Sequence, residues 1–268
     1  MITPISCNYN HPTFNANLAS PRLKFSQHDF FIKIRGYGKD KNWAQEIIET
    51  ADSAVRMIRK NRGIENILRM ISLGVYEANS KSTDASKRAN TGILRTARID
   101  WFGGEDKDIY TPYDFGGRYS TYSKKINKKR RSPLKAPNDK IGMTIPDGKG
   151  FIRHGEPGKI NSSLDYVFEL FNKNILPYIK GELTSKDLGK VNDAVAEIRW
   201  VMAHSTPWLR GSDAISNVLM RAIYKAVGVK TYPPKRNFSF DLEAYCTPLD
   251  EYKKKFPTYF TKPPKVME

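Results

Sequence analysis

Residues 197 to 212 read Glu-Ile-Arg-Trp-Val-Met-Ala-His-Ser-Thr-Pro-Trp-Leu-Arg-Gly-Ser, and this stretch decides the fold because it joins two helices predicted from the sequence. Ser212, a good N-cap residue, opens the second helix, and Gly228 supplies its stop. The turn before Ser212 therefore leads directly into a helix N-terminus. Between the two signals the apolar residues recur at helical spacing: Ile215, Val218, Leu219, Ala222, Ile223 and Ala226.

The turn itself, Arg210-Gly211-Ser212, has the composition of an anion-binding site. A helix N-terminus gathers free backbone N–H groups and the positive end of the helix dipole, and glycine lets an anion approach closely. Arg210 adds a planar, permanently charged group that suits phosphate oxygens. The pattern predicts a diphosphate cradle. It is equally consistent with a core helix that has an ordinary N-cap and a surface arginine.

A resemblance to a known family extends over the last quarter of the chain. The sequence there resembles the C-terminal part of AvrB-type bacterial type III effectors, which belong to the Fic/Doc-like, or Fido, superfamily. The resemblance implies a mainly α fold, with a Fido-like helical core and a small insertion of loops and β-strands. The residues that carry it are Trp200, Pro207, Arg210, Gly211, Ser212, Arg221, Ala222, Ile223, Ala226, Gly228, Pro233, Pro234, Arg236, Asn237, Asp241, Glu243 and Ala244.

Comparison with true Fic enzymes shows which chemistry the turn lacks. When the Fic motif is aligned on Gly211, Thr206 takes the place of the catalytic histidine and Arg210 that of the metal-binding acid. Nucleotidyl transfer by the Fic mechanism needs both a general base and an acid that holds Mg²⁺. His204 lies two positions upstream and replaces the histidine only if the loop is rebuilt. Fic-type AMP transfer is therefore disfavoured.

The resemblance implies a different reaction, glycosyl transfer from a nucleotide sugar to a hydroxyl group of a host protein. Arg210 and the N–H groups of Gly211 and Ser212 would hold the diphosphate. Asp241 would act as the general base or orient the sugar; equally, it caps a loop or pairs with Arg236. No tightly bound cofactor is expected, and the nucleotide sugar, or a nucleoside triphosphate, is a co-substrate. Ser86 and Thr91 are weaker candidates for nucleotide binding in the same cleft.

Two other functions remain open at this point. One is a non-catalytic effector that grips a host protein in the cleft. The other is a Fic-like AMP or UMP transferase with catalytic residues rebuilt around His204. The resemblance favours glycosyl transfer, and unlike the Fic reaction it needs neither the histidine nor the metal-binding acid that the turn lacks.

Composition excludes several classes of protein. No run of about 20 apolar residues is present, so no transmembrane segment is expected. The two cysteines, Cys7 and Cys246, lie at opposite ends, and the four histidines have no ligand spacing, so neither a disulfide framework nor a metal site is expected. The formal net charge of +17 suits nucleic acid, an acidic membrane surface, an acidic protein partner or simple solubility.

Residues 1–35 have the composition of a flexible secretion leader. They are rich in Asn, Ser, Thr and Pro and lack the charged and apolar regions of a Sec signal peptide. A leader of this kind is also where a secretion chaperone would bind. The chain begins Met-Ile, so the glycine needed for N-myristoylation is missing. We expect a protein secreted into the host cell without that lipid anchor.

Residues 36–268 are assigned to one Fido-like domain with a basic insertion at about residues 100–156. Glycines, tyrosines and prolines favour loops and short strands in the insertion over helices. Its basic run is either a docking surface for an acidic partner or a solvated loop. The docking residues would be Lys124, Lys125, Lys128, Lys129, Arg130 and Arg131.

Overall fold

The structure is a computed structural model, and it describes residues 41–81, 91–98, 101, 104, 107–112, 122–147, 149–181 and 183–267. The predictions for residues 1–35 and for Ser86 lie outside these residues. Within them the chain is mainly helical with a small sheet, which confirms the predicted fold class. The boundaries of the leader and of the insertion remain predictions.

The helices follow the apolar periodicity of the sequence. None of those described combines the length and apolar character needed to cross a bilayer. In chain order they are α1 (Lys41–Arg59), α2 (Ile64–Ser80), α3 (Ser123–Arg131), α4 (Ile160–Asn174), α5 (Leu176–Lys180), α6 (Leu188–Ser205), α7 (Ser212–Ala226), α8 (Phe240–Ala244) and α9 (Leu249–Lys255). Short 3₁₀ turns at Pro157–Lys159 and Phe256–Tyr259 precede α4 and follow α9.

Helix α6 lies at the centre of the molecule. It packs against α4, α7, α8 and α9, while α1 and α2 pack against each other and against the far side of α7. From Ala194 to Ser205 nearly every side chain of α6 is buried, as expected for a helix covered on all sides. It ends at Thr206, which adopts a left-handed conformation (φ 44°), and Pro207 prevents continuation. The central helix α6 is therefore followed directly by the loop that precedes α7.

Two small antiparallel sheets complete the fold. The first has the strand order β1 (Tyr110–Pro112), β3 (Phe151–Arg153) and β2 (Ile145–Pro146), with Thr111 opposite Ile152. The second pairs β4 (Val229–Lys230) with β5 (Lys265–Val266) and ties the C-terminal segment to the end of α7. The first sheet ends at His154 and Gly155, where Gly155 N donates to His204 O at 3.2 Å.

The basic run departs from the prediction of loops and short strands, because residues 123–131 form helix α3. Its anchors, Tyr122 and Ile126, lie one helical turn apart and are both buried. With only one apolar residue in nine, the helix has no apolar periodicity to read from the sequence, whereas lysine and arginine are good helix formers. Burial of the two anchors, rather than an apolar stripe, therefore fixes this helix on the domain.

Candidate functional site

The loop between α6 and α7 is fixed by a backbone segment that runs beside it. Gly92 N donates to Arg210 O at 3.0 Å, Leu209 N to Ile93 O at 2.9 Å, and Arg95 N to Pro207 O at 2.8 Å. These bonds pair residues 91–95 with residues 207–210 along most of the loop. The backbone that carries the Arg210 side chain is therefore held in place before any ligand binds.

Gly211 meets two steric requirements at the start of α7. Its φ is 91°, in the left-handed region that favours glycine, and a Cβ atom there would lie 2.9 Å from Thr91 Cγ2. Thr91 is itself fixed, because Asn79 Nδ2 donates to its Oγ1 at 2.9 Å. Thr91 is fully buried, so it shapes the turn and does not reach a ligand, which corrects its assignment as a nucleotide-binding residue.

Arg210 and Ser212 have different roles in the turn. The Arg210 side chain is exposed. Ser212 Oγ accepts from Trp208 N at 3.1 Å and donates to Trp208 O at 3.2 Å, so its hydroxyl closes the loop, and Gly211 occupies the N-cap position that we predicted for Ser212. The groups of the turn that could hold an anion are the Arg210 guanidinium and the backbone amides of the first turn of α7.

A buried ion pair neutralises the acidic residue in the first turn of α7. Asp213 would repel a diphosphate, but Arg199 Nη2 lies 2.8 Å from Asp213 Oδ1, and the two side chains are 1% and 10% exposed. The Arg199 guanidinium also lies 5.4 Å from the centre of the Phe240 ring. Sequence reasoning missed Arg199, although an arginine inside an apolar helical run is itself a signal of a buried charge pair.

Asp241 lies in the first turn of α8, and Arg199 links this turn to the first turn of α7. Its Oδ1 accepts from Ser239 Oγ and from Leu242 N, both at 2.8 Å, and the side chain is largely buried. The preceding residue, Phe240, receives the Arg199 cation on its ring. The starts of α7 and α8 therefore share one buried arginine, Arg199.

His204 is a core residue, which corrects its assignment as a catalytic residue. Its ring is fully buried, 4.0 Å from the Trp200 ring centre, and Nε2 donates to Ala244 O at 3.1 Å. Burial lowers the pKa of the imidazole from 6.5 to about 4, so the ring is neutral at physiological pH. Enclosed by the core, His204 cannot exchange a proton with a substrate.

A second histidine, which sequence reasoning passed over, lies beside the residue aligned with the Fic histidine. His154 Nδ1 lies 2.9 Å from Thr206 Oγ1, and Nε2 lies 2.8 Å from Thr111 Oγ1. The Thr206 hydroxyl donates to Ala203 O, so it accepts from Nδ1–H, which assigns the tautomer from the hydrogen-bond network. His154 thus ties the end of β3 to the end of α6.

Arg95 places a buried positive charge behind the same loop. It is fully buried, Nη2 donates to Gly155 O, and Nε and Nη1 have no hydrogen-bond partner among the described residues. Burial lowers the pKa of Arg95 to about 10, while the nearby Asp108 and Tyr245 act in the opposite direction. Nothing in the periodicity of the sequence marks this residue, because its burial depends on a contact with a segment 60 positions away.

Basic helix α3 packs directly beside α8. Ser239 N donates to the Tyr122 hydroxyl at 3.4 Å, and Lys125 Nζ lies 3.5 Å from Glu243 Oε2. Lys124, Lys125, Lys128 and Arg131 are exposed, and Lys129 is half-buried. The side chain of Arg130 lies outside the part of the chain that the structure describes. The helix thus contacts α8 at Glu243 and at Ser239, the residue that precedes α8.

No group of three or more metal-binding side chains, counting His, Cys, Asp and Glu, comes together among the described residues. The structure therefore offers no candidate metal centre within this part of the chain.

The Gly211 geometry gives a prediction with matched controls. Gly211→Ala should lower the free energy of unfolding by about 2–4 kcal/mol, from the left-handed φ and from the contact with Thr91. Gly228→Ala has a similar φ of 76° but no atom within 4 Å of its Cβ, so about 1–2 kcal/mol is expected. Adding Thr91→Ser to Gly211→Ala removes the clashing methyl group, so the loss of stability should fall to about that of Gly228→Ala. Urea titrations check this, and equal losses in the two alanine variants would contradict the packing argument.

Comparison with known protein families shows to which family this chain belongs. The family model of the AvrB and AvrC avirulence proteins matches residues 120–263, more than half of the sequence. The chain belongs to the AvrB/AvrC family. It is therefore a bacterial avirulence effector of a kind delivered into host cells, where it interacts with host targets. No curated protein matched the chain.

The matched region of this AvrB/AvrC member contains most of the site described above. It includes α3, the loop between α6 and α7, and Asp241, whereas residues 91–95 lie before it. The family match therefore covers the cradle, the predicted base and the basic helix together.

Proposed function

We propose that this effector is a Fido-like glycosyltransferase that moves a sugar, such as a deoxyhexose, from a nucleotide sugar to a hydroxyl group of a host protein. The observation that carries the proposal is the turn at Arg210 and Gly211. It combines an exposed guanidinium with a helix N-terminus whose nearest acid, Asp213, is neutralised by Arg199. Such a turn suits a diphosphate, the leaving group of a nucleotide sugar.

The proposed step assigns a role to each side of the site. The acceptor oxygen forms a bond to the anomeric carbon of the sugar as the bond from that carbon to the diphosphate oxygen breaks. The electron pair leaves with the nucleoside diphosphate, whose charge is stabilised by Arg210 and the first-turn amides of α7. The acceptor proton passes to the Asp241 carboxylate, which hydrogen bonds from Ser239 Oγ and Leu242 N hold in place.

Fic-like nucleotidyl transfer fits the same residues less well. Arg210 occupies the position where that mechanism needs a metal-binding acid. Thr206, which aligns with the Fic histidine, is hydrogen-bonded to the buried His154. His204, the residue proposed to replace the histidine, is enclosed by the core.

A non-catalytic effector is the second candidate, and one observation favours it. Asp241 is only 6% exposed, and its two hydrogen bonds at Oδ1 are those of a residue that holds the first turn of α8. In that case the cleft and helix α3 would bind a host protein without modifying it. The glycosyltransferase and the non-catalytic effector differ in whether a nucleoside diphosphate binds at the turn.

Nucleotide binding to Arg210→Ala tests the cradle. Loss of a charge-assisted contact that uses two N–H groups should cost about 1.5–3 kcal/mol, and so weaken the affinity for a nucleoside diphosphate roughly 10- to 150-fold. Arg62→Ala is the matched control, since Arg62 is also exposed but lies between α1 and α2, outside the turn. Isothermal titration calorimetry with UDP and GDP measures the effect. Equal affinities for the wild type and Arg210→Ala would remove Arg210 from the site.

A further inference from the structure

Helix α3 carries a charge pattern that weakens the helix itself. Lys124 and Lys128, and likewise Lys125 and Lys129, are like charges four residues apart, an arrangement that destabilises a helix. The first turn contains two lysines and no acidic residue, which is unfavourable at the positive end of the helix dipole. Stability does not explain this pattern, whereas an anionic ligand would offset both costs.

The cationic surface extends from α3 onto α9 through α8, which contacts both helices. Lys125 Nζ of α3 lies 3.5 Å from Glu243 Oε2 of α8, and the Tyr252 hydroxyl of α9 donates to Phe240 O of α8 at 3.1 Å. The combined surface, which we call the α3–α9 surface, has an excess of positive charge. Its cations are Lys124, Lys125, Lys128, Lys129, Arg131, Lys254 and Lys255, and its carboxylates are Glu243, Asp250 and Glu251.

This surface adjoins the acceptor side of the site. The Tyr122 hydroxyl, at the start of α3, accepts from Ser239 N, and Ser239 Oγ donates to Asp241 Oδ1 at 2.8 Å. Ser239 therefore bridges Tyr122, the buried residue at the start of α3, and Asp241, the predicted base. A chain bound along α3 would pass within a few residues of Asp241.

We propose that the α3–α9 surface binds an acidic segment of the acceptor protein and so selects hydroxyl groups flanked by Asp and Glu. This inference rests on the proposed glycosyl transfer in that it takes the bound protein to be the acceptor of the sugar. The binding itself does not require catalysis. A protein segment fits better than a membrane, because the apolar residue of α3, Ile126, is buried and so cannot insert into lipid. It fits better than nucleic acid, because the aromatic anchor Tyr122 is also buried and gives no surface for base stacking.

Peptide binding tests the proposal without a nucleotide. The probes are a fluorescent peptide with a central threonine flanked by Asp and Glu, and a matched peptide with Asn and Gln. The quadruple variant Lys124→Gln, Lys128→Gln, Lys129→Gln and Arg131→Gln keeps Lys125, which contacts Glu243. It should bind the acidic peptide at least about tenfold more weakly, with a flatter salt dependence and a melting temperature no lower than that of the wild type, because like-charge repulsion in α3 is relieved.

Two further variants make the result specific. A control in which exposed Lys60, Arg62, Lys173 and Lys186 become Gln removes the same charge from other elements and should bind like the wild type. Charge reversal by Lys128→Glu and Arg131→Glu should shift preference toward a Lys-flanked peptide. Equal binding by the wild type and the quadruple variant would overturn the proposal, as would tighter binding to phosphatidylserine vesicles or to RNA of equal charge.

Failure of this inference is distinguishable from failure of the proposed function. If the wild type transfers sugar equally to the acidic and the neutral peptide, glycosyl transfer stands and the docking proposal falls. If the acidic peptide binds through α3 but gains no mass with any nucleotide sugar, docking stands and the proposed reaction falls.

Discussion

Asp241→Asn should lower the rate of sugar transfer by roughly 10²- to 10⁴-fold while leaving donor affinity nearly unchanged. Asparagine keeps the size of the side chain and an Oδ1 atom that accepts from Ser239 Oγ and Leu242 N, so the first turn of α8 should persist. What is lost is the carboxylate that accepts the proton of the acceptor hydroxyl. Single-turnover measurement with saturating nucleotide sugar separates the chemical step from binding.

The controls separate a base from a structural residue. Asp193→Asn makes the same chemical change at an exposed position of α6, outside the site and the α3–α9 surface, and should retain the wild-type rate. Ser239→Ala removes one hydrogen bond from Asp241 but leaves its charge, so its rate should lie between those of the wild type and Asp241→Asn. Loss of donor affinity in Asp241→Asn would instead assign Asp241 to sugar orientation, and a wild-type rate would remove it from the mechanism.

Arg199→Met should lower the free energy of unfolding by about 3–5 kcal/mol, because it leaves the largely buried Asp213 carboxylate without its cation. The same change should weaken nucleotide binding, since the Asp213 charge in the first turn of α7 is then no longer neutralised. Denaturant titration measures the first effect and calorimetry with UDP the second. The two effects have one cause, so they should appear together.

A second variant distinguishes charge from packing. Arg199→Met combined with Asp213→Asn removes both charges and should recover much of the stability and of the affinity. Lys190→Met breaks the exposed ion pair with Asp187, and its stability should be nearly unchanged. If the double variant is as unstable as Arg199→Met, the contribution of Arg199 is packing against Phe240, and the electrostatic account of the turn fails.

Most of the longer helices were predictable because they depend on local sequence. Apolar periodicity gave α1, α2, α6 and α7, and the start of α7 was predicted to within one residue, with Ser212 as the N-cap instead of Gly211. Helix α3 was missed because one buried apolar residue in nine gives no period, and its stability depends on contacts with α8.

The burial and pairing of side chains around the turn could not be predicted from the sequence. The burial of Thr91 and His204, and the pairing of Arg199 with Asp213, follow from contacts between segments distant in sequence. Side-chain type suggests hydrogen bonding in each case but does not say whether the partner is a ligand or the core. That distinction required the packing of α6 against α7 and α8.

Buried arginines distinguish this site from an ordinary helix N-terminus. Arg95 and Arg199 lie behind the loop between α6 and α7, both almost fully buried, while Arg210 is exposed in front of it. Arg199 neutralises Asp213, so it removes a negative charge from the first turn of α7 instead of adding a positive one. Arg95 carries its charge within the core, behind the same loop.

The most direct test of the account is mass spectrometry of a host-cell protein extract incubated with the purified effector and either nucleotide sugars or ATP and UTP. We expect a hexose or deoxyhexose mass increase on host protein, dependent on a nucleotide sugar and retained in EDTA, because Arg210 replaces the metal-binding acid. Arg210→Ala should abolish it. A nucleotidyl mass increase that requires Mg²⁺ would contradict the account, as would no mass change with any donor.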